Sequence, residues 1–314
     1  MKALVLGGGG WLGQRLVDRL GARAICVDVV RPANLPSSVD FVEADIRNLS
    51  AYESRLSECS VVFNCCGLQH PSKTSDLYAV NRDAPVAVYE ACAKHKVTTF
   101  VHVSSIAAYG ANEFGSQFLD ESFPDRPITH YGYSKSEGDA RLRSLAQNSS
   151  SRLIILRPGV FYGTRPSKNL HELFEKLKKS PMPIFTQHGF LRTYADIDSV
   201  VDALLASETK GTSGEIYCIG DHTPIGTLSF YRSLTDALNT KLKVVAVPVL
   251  IARLAEAAAW WAGKVGIHLR IPTVIGEFGR HTFVSSRKAE QELKVSLPES
   301  PKEGLVRMVR SVAN

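Results

Sequence analysis

Leu4–Gly13 reads Leu-Val-Leu-Gly-Gly-Gly-Gly-Trp-Leu-Gly. Ala3–Leu6 is a short apolar run of the kind that forms a fully buried strand, and Gln14–Leu20 places Leu16, Val17 and Leu20 on one helical face. Strand, glycine turn and helix in that order predict a dinucleotide-binding turn with the spacing Gly7-x-x-Gly10-x-x-Gly13. Gly7 allows the tight turn, Gly10 leaves room for a pyrophosphate, and Gly13 lets the helix pack close on the sheet. The helix start, with Trp11 and Leu12, offers free N–H groups to phosphate.

Ala24–Val30 is a second apolar strand, and Asp28 sits near its end, fifteen residues past Gly13. A carboxylate there accepts from the adenosine ribose hydroxyls and repels a 2′-phosphate, which favours NAD over NADP. Arg31 stands three residues on and leaves NADP as an alternative.

Further strands are expected at Asp40–Asp45, Ser60–Asn64, Thr99–Ser104, Leu153–Leu156 and Ile216–Ile219. Helices are expected at Leu49–Leu56, Asp76–His95, Ser134–Ala146, Leu170–Lys178, Asp198–Glu208 and Thr227–Leu238. After a short strand at Val244–Val247 come an apolar helix, Val249–Gly263, and a closing one, Pro301–Ala313. This alternation predicts an α/β fold: a Rossmann-type doubly wound parallel sheet with a smaller C-terminal substrate-binding region. Residues 1–165 form the nucleotide-binding part in this reading, and 166–314 the substrate-binding region interleaved with the last strands of the sheet.

Of 314 residues, 44% are hydrophobic and 22% charged, as in an ordinary globular chain. The net charge is +6 with scattered lysines and arginines, denser around Lys168–Lys179, which reads as a solvated basic face and not as a nucleic-acid site. Cys26, Cys59, Cys65, Cys66, Cys92 and Cys218 show no Cys-x-x-Cys spacing and read as free thiols of a reducing, cytoplasmic compartment. No His, Cys or Asp cluster has metal-ligand spacing, so no metal is expected.

The chemistry is expected where the strand ends meet. Tyr131-Gly132-Tyr133-Ser134-Lys135 puts Tyr131 and Lys135 four apart, on one face of a helix. A phenol transferring protons near neutral pH needs its pKa lowered from about 10. A neighbouring ammonium does that by favouring the phenolate. A serine of Ser104-Ser105 can hold the substrate oxygen.

With these residues in place the chain resembles an extended short-chain dehydrogenase/reductase, of the NAD-dependent epimerase/dehydratase superfamily, over essentially its whole length. Besides the glycine turn, the resemblance rests on Asp45-Ile46, Asn64-Cys65-Cys66-Gly67, Asn81, Ser104-Ser105 with Tyr109-Gly110, Tyr131-x-x-x-Lys135 and Arg157-Pro158-Gly159. It implies that Tyr131 is the acid/base, that Lys135 lowers its pKa and binds the nicotinamide ribose, and that Ser105 binds the substrate oxygen. It further implies cofactor contacts at Asp45, Ile46, Cys66, Asn81 and Pro158, and a homodimer.

The C-terminal layout, from Pro248 through the apolar helix to Leu297-Pro298, resembles the 3β-hydroxysteroid dehydrogenase-like branch and implies an apolar alcohol or ketone as substrate. A competing resemblance lies in Gly189–Tyr194, where nucleotide-sugar epimerases place an arginine, here Arg192, on the substrate diphosphate. Ile106 and Ala107 stand where a dehydratase carries an acidic pair, which argues against dehydration. A non-catalytic nucleotide-binding subunit is the alternative from another class. His70, after the Cys65–Gly67 turn, is a further candidate substrate contact, and Val249–Gly263 a candidate for weak contact with a membrane surface.

Overall fold

The computed structural model describes residues 1–112, 117–185 and 189–313. Seven parallel strands form one sheet in the order Glu215–Ile219, Arg152–Pro158, Thr99–Val103, Cys59–Asn64, Lys2–Leu6, Ala24–Asp28, Asp40–Glu43. Register pairs Leu6 with Asn64, Asn64 with His102, and Val103 with Leu156, so these strands end at one carboxyl edge. Open α/β sheets bind ligands at that edge.

Alternate residues of each strand feed two cores, as the period of two requires. Val5, Phe63, Val101 and Ile154 pack under the helices Trp11–Leu20 and Ile197–Ser207. Leu4, Val62, Phe100 and Ile155 pack under Ala84–Lys94 and His130–Ala146. A third cluster, with Tyr162, Phe174, Phe230, Leu234, Leu305 and Met308, holds the C-terminal helices together.

Several elements differ from the sequence reading. The strand expected to run to Val30 ends at Asp28, and the first helix starts already at Trp11. Leu49–Leu56 is a pair of 3₁₀ turns, Leu49–Ala51 and Glu53–Glu58, not an α-helix. The long helix expected over Asp76–His95 is broken into Thr74–Tyr78, a π-helical turn Ala79–Asp83, and Ala84–Lys94. Pro85 explains the break: it has no N–H for the Asn81 carbonyl four residues back, and the turn widens. That carbonyl lies against the helix His130–Ala146, where a Cβ on Gly138 would sit 2.7 Å from it. Periodicity also missed the helix Arg270–Phe278, which packs on Val249–Lys264.

Candidate active site

The glycine turn has the shape a dinucleotide requires. Gly7 adopts φ +74°, and a Cβ there would meet the Cys66 backbone nitrogen at 2.9 Å. A Cβ on Gly13 would fall 2.1 Å from the Gly7 carbonyl oxygen. A Cβ on Gly10 would meet only that same oxygen, at 3.3 Å, so its outer side is an open cradle. The N–H groups of Trp11, Leu12 and Gly13 occupy the first helical turn, where no intrahelical acceptor exists. Asp28 stands at the end of its strand. One carboxylate oxygen accepts from Gly9 N–H at 2.8 Å and the other from Val29 N–H at 2.7 Å. Each oxygen keeps a further lone pair for a hydroxyl donor. Arg31 stacks on Phe41, its guanidinium 5.3 Å from the ring. These residues fit NAD.

The other candidate cofactor contacts are tied into the protein. The Asp45 carboxylate is held by Arg47, whose hydrogen bonds keep it below the usual carboxylate range. Ile46 is buried, and its carbonyl accepts from Tyr52. The Asn81 side chain donates to Leu68 O at 2.8 Å and to Ser134 Oγ at 3.0 Å, and accepts from Leu68 N–H. It clamps the loop after Cys66 to the helix of Tyr131. Pro158 is buried at the end of the strand Arg152–Pro158.

The helix His130–Ala146 begins four residues earlier than expected, capped by Thr129, which accepts from Gly132 N–H. Tyr131 therefore sits in its first turn. The Ser105 side chain caps the turn Ile106–Ala108, accepting from Ala107 N–H at 3.1 Å, and its hydroxyl acts to lower the pKa of the nearby Tyr131 phenol. Burial pushes that phenol up to about 12. Lys135 is 2% exposed, and burial pulls it down to about 8. Its Nζ donates to Val103 O at 2.9 Å. In the protein without cofactor burial is the largest influence on the Tyr131 phenol, and it acts against the lowering expected from Lys135 and the oxidised nicotinamide together.

Beneath this pair runs a buried polar chain that the sequence reading did not assemble. Asn64 accepts from Cys66 N–H with its oxygen, so its nitrogen donates to His102 Nδ1 at 3.0 Å. That leaves the His102 proton on Nε2, 3.8 Å from an Asp139 oxygen. The other Asp139 oxygen accepts from Ser104 at 2.7 Å and from Arg157 at 2.9 Å. Arg157 also grips Asp125 at 2.6 and 2.7 Å. Burial works against the Arg157 charge, but Asp139 and Asp125 outweigh it and raise its pKa. The signal for Asp139 was present: it lies one further helical turn past Lys135 on the face of Tyr131.

Arg192 lies on the strand Leu191–Arg192 and is buried. Its guanidinium donates to the Glu277 carbonyl and stacks 4.7 Å from the Phe278 ring centre. It is turned into the protein and not presented as an open anion-binding group. The Glu277 carboxylate charge acts to raise the Tyr131 pKa, and one Glu277 oxygen is buried without a partner among the described residues. Burial raises the Glu277 pKa. His70 pairs with His268, 3.3 Å apart, and burial lowers it to about 4. Among the described residues no group of three His, Cys, Asp or Glu could hold a metal ion.

Residues 3–220 match the model of the NAD dependent epimerase/dehydratase family, and the chain belongs to that family. It is an NAD-dependent enzyme of the extended short-chain dehydrogenase/reductase type, which sets aside the non-catalytic subunit. It is 27% identical to short-chain dehydrogenase/reductase family 42E member 1 of Mus musculus, over 92% of this chain and 82% of the relative. It is 24% identical to a 4-hydroxy-2-methyl-3-oxo-4-farnesyl-3,4-dihydroquinoline-1-oxide ketoreductase of Stigmatella aurantiaca, over 93% of this chain and 91% of the relative. Its fold is similar to that of UDP-glucose 4-epimerase from Thermotoga maritima, solved with UDP-glucose. The TM-score is 0.82 at 22% identity, covering 100% of this chain and 99% of the other.

Proposed function

We propose that this enzyme interconverts a secondary alcohol and a ketone on an apolar, 3β-hydroxysteroid dehydrogenase-like substrate. Residues 166–314 would form the substrate region. Tyr131 is the acid/base, Ser105 holds the substrate oxygen, and Lys135 carries positive charge near neutral pH. Gly7, Gly10, Trp11, Leu12, Gly13 and Asp28 hold the cofactor, with Asp45, Ile46, Cys66, Asn81 and Pro158 shaping the same cleft. When bound, NAD would supply the hydride acceptor for alcohol oxidation and, as NADH, the hydride donor for ketone reduction, and its oxidised nicotinamide would add positive charge that favours the Tyr131 phenolate. In ketone reduction Tyr131 gives its proton to the substrate oxygen; in alcohol oxidation it takes that proton back.

The observation that carries the apolar substrate is Arg192, engaged with the Glu277 carbonyl and the Phe278 ring in place of a diphosphate. Likeness to a ketoreductase whose named substrate carries a farnesyl chain supports it. The second reading, a nucleotide-sugar 4-epimerase or 4-keto reductase using Arg192, draws on the likeness to UDP-glucose 4-epimerases. A cytoplasmic setting belongs to the proposal, supported by six free thiols. So does a homodimer through the helix of Tyr131, whose outer face carries the ion pairs Arg82–Glu137 and Arg141–Asp83.

Thermal stabilisation decides between substrates, because a ligand that binds only the folded state raises Tm. Stabilisation by NAD together with a steroid-type alcohol is expected. Stabilisation by a UDP-sugar that Arg192→Ala abolishes would replace this reading with the second.

A further inference from the structure

The helix Val249–Lys264 is apolar on two sides, and only one is used. Its inner side seats Ala252, fully buried, and Gly263, where a Cβ would lie 2.2 Å from His130. Trp260 stacks on His130 with ring centres 4.5 Å apart and planes within 10°. The outer side carries Leu250, Leu254, Trp261 and Val265, spaced by three to four residues or their multiples, and Ile267 and Ile271 extend it. Each of the six is more than half exposed, from 55% at Ile267 to 74% at Val265. Scattered exposed apolar residues are ordinary, but a contiguous stripe marks a binding surface.

The charge around the stripe says what kind. Residues 241–276 carry Lys241, Lys243, Arg253, Lys264 and Arg270 against a single carboxylate, Glu256. Glu256 is turned away from the stripe and held by Arg280 through two bonds of 2.9 Å. Lys241 and Lys243 are exposed before the helix, and Lys264 and Arg270 beyond it. A second copy of the chain would set two basic rims around one apolar seam. An anionic lipid surface offers hydrocarbon to the stripe and phosphate to the rim. No helix among the described residues is long and apolar enough to cross a membrane.

We propose that the outer face of Val249–Lys264, continued through Ile271, docks the enzyme on an anionic membrane surface. Docking itself stands on exposure and charge alone. Its use rests on the apolar-substrate reading: the docked helix holds His130, the residue before Tyr131, and brings the cleft to the phase where an apolar alcohol or ketone dissolves.

Flotation of the full chain with phosphatidylcholine vesicles, with and without phosphatidylglycerol, tests docking without any substrate. Recovery with the anionic vesicles and a blue shift of tryptophan emission, from Trp261 entering the interface, are expected. Leu254→Glu with Trp261→Glu should cut partitioning about tenfold or more, and so should Lys264→Glu with Arg270→Glu. NAD-induced stabilisation should stay unchanged in both variants, showing that they fold. Failure to float overturns the proposal. Equal recovery on both vesicles overturns the anionic assignment. A concentration-dependent dimer lost in Leu254→Glu, without flotation, gives the face to a second copy. A steroid-type ligand that fails to stabilise the protein would sink the substrate reading and leave the flotation result standing.

Discussion

Lys135 Nζ donates to the Val103 carbonyl at 2.9 Å, so the ammonium is moored to the sheet and not to the Tyr131 phenol. With burial as the leading influence, Tyr131 rises to about 12 and Lys135 falls to about 8. The ligand-free enzyme therefore holds Tyr131 as a protonated phenol near neutral pH. The absorbance difference between wild type and Tyr131→Phe should show one tyrosine titrating near 12. Oxidised NAD should shift that titration downward. A difference spectrum centred near the ordinary value of about 10 without cofactor would contradict the buried phenol.

Tyr131→Phe keeps the ring and removes the proton that moves. The turnover number should fall by about 10²–10⁴, the usual contribution of a positioned acid/base. NAD-induced thermal stabilisation should persist, because the glycine turn and Asp28 are untouched. Steady-state rates and a melting curve separate the two effects.

Gly13 and Gly10 should fail differently. The Gly13→Ala methyl group would lie 2.1 Å from the Gly7 carbonyl oxygen, so the helix must move off the sheet. Overpacking of that kind costs about 1–3 kcal/mol, read as a lower Tm without ligand. The Gly10→Ala methyl group has only one neighbour, at 3.3 Å, and leaves the fold nearly unchanged. It fills the open cradle instead, so NAD affinity should drop while the ligand-free Tm holds.

The readable features were those set by local spacing. Three glycines, an aspartate at a strand end and a tyrosine four residues before a lysine each act within one turn or one strand. The parallel, helix-covered sheet followed from the alternation of strands with helices. The chain from Asn64 through His102 and Asp139 to Arg157 is assembled by register between strands and helix, which short-range periodicity does not reveal. Glu277 escaped because the helix Arg270–Phe278 that carries it was not assigned from the sequence, and its approach to Tyr131 is set by tertiary packing. Arg192 was found by resemblance, but its direction depends on Glu277 and Phe278, some 85 residues away along the chain.

Asp221 makes stability depend on pH. It is 1% exposed, accepts from Tyr162 at 2.7 Å, and burial lifts its pKa from 3.8 to about 7. A carboxyl whose pKa is raised on folding favours the protonated native state. Below pH 3.8 both states hold the proton, and there is no penalty. Between there and about 7 the unfolded chain ionises first, so stability falls as pH rises; above about 7 the whole penalty is present. A shift of that size corresponds to about 4 kcal/mol. Asp221→Asn keeps an acceptor for Tyr162 and cannot ionise. Its other side-chain atom meets the same lack of a partner that Asp221 Oδ1 has, at every pH. Urea unfolding at several pH values from acid to mildly alkaline should therefore show the variant gaining on wild type as pH rises, by up to about 4 kcal/mol, with most of the gain below about 7. A constant difference across that range would mean that Asp221 ionises as freely in the folded protein as in the unfolded chain.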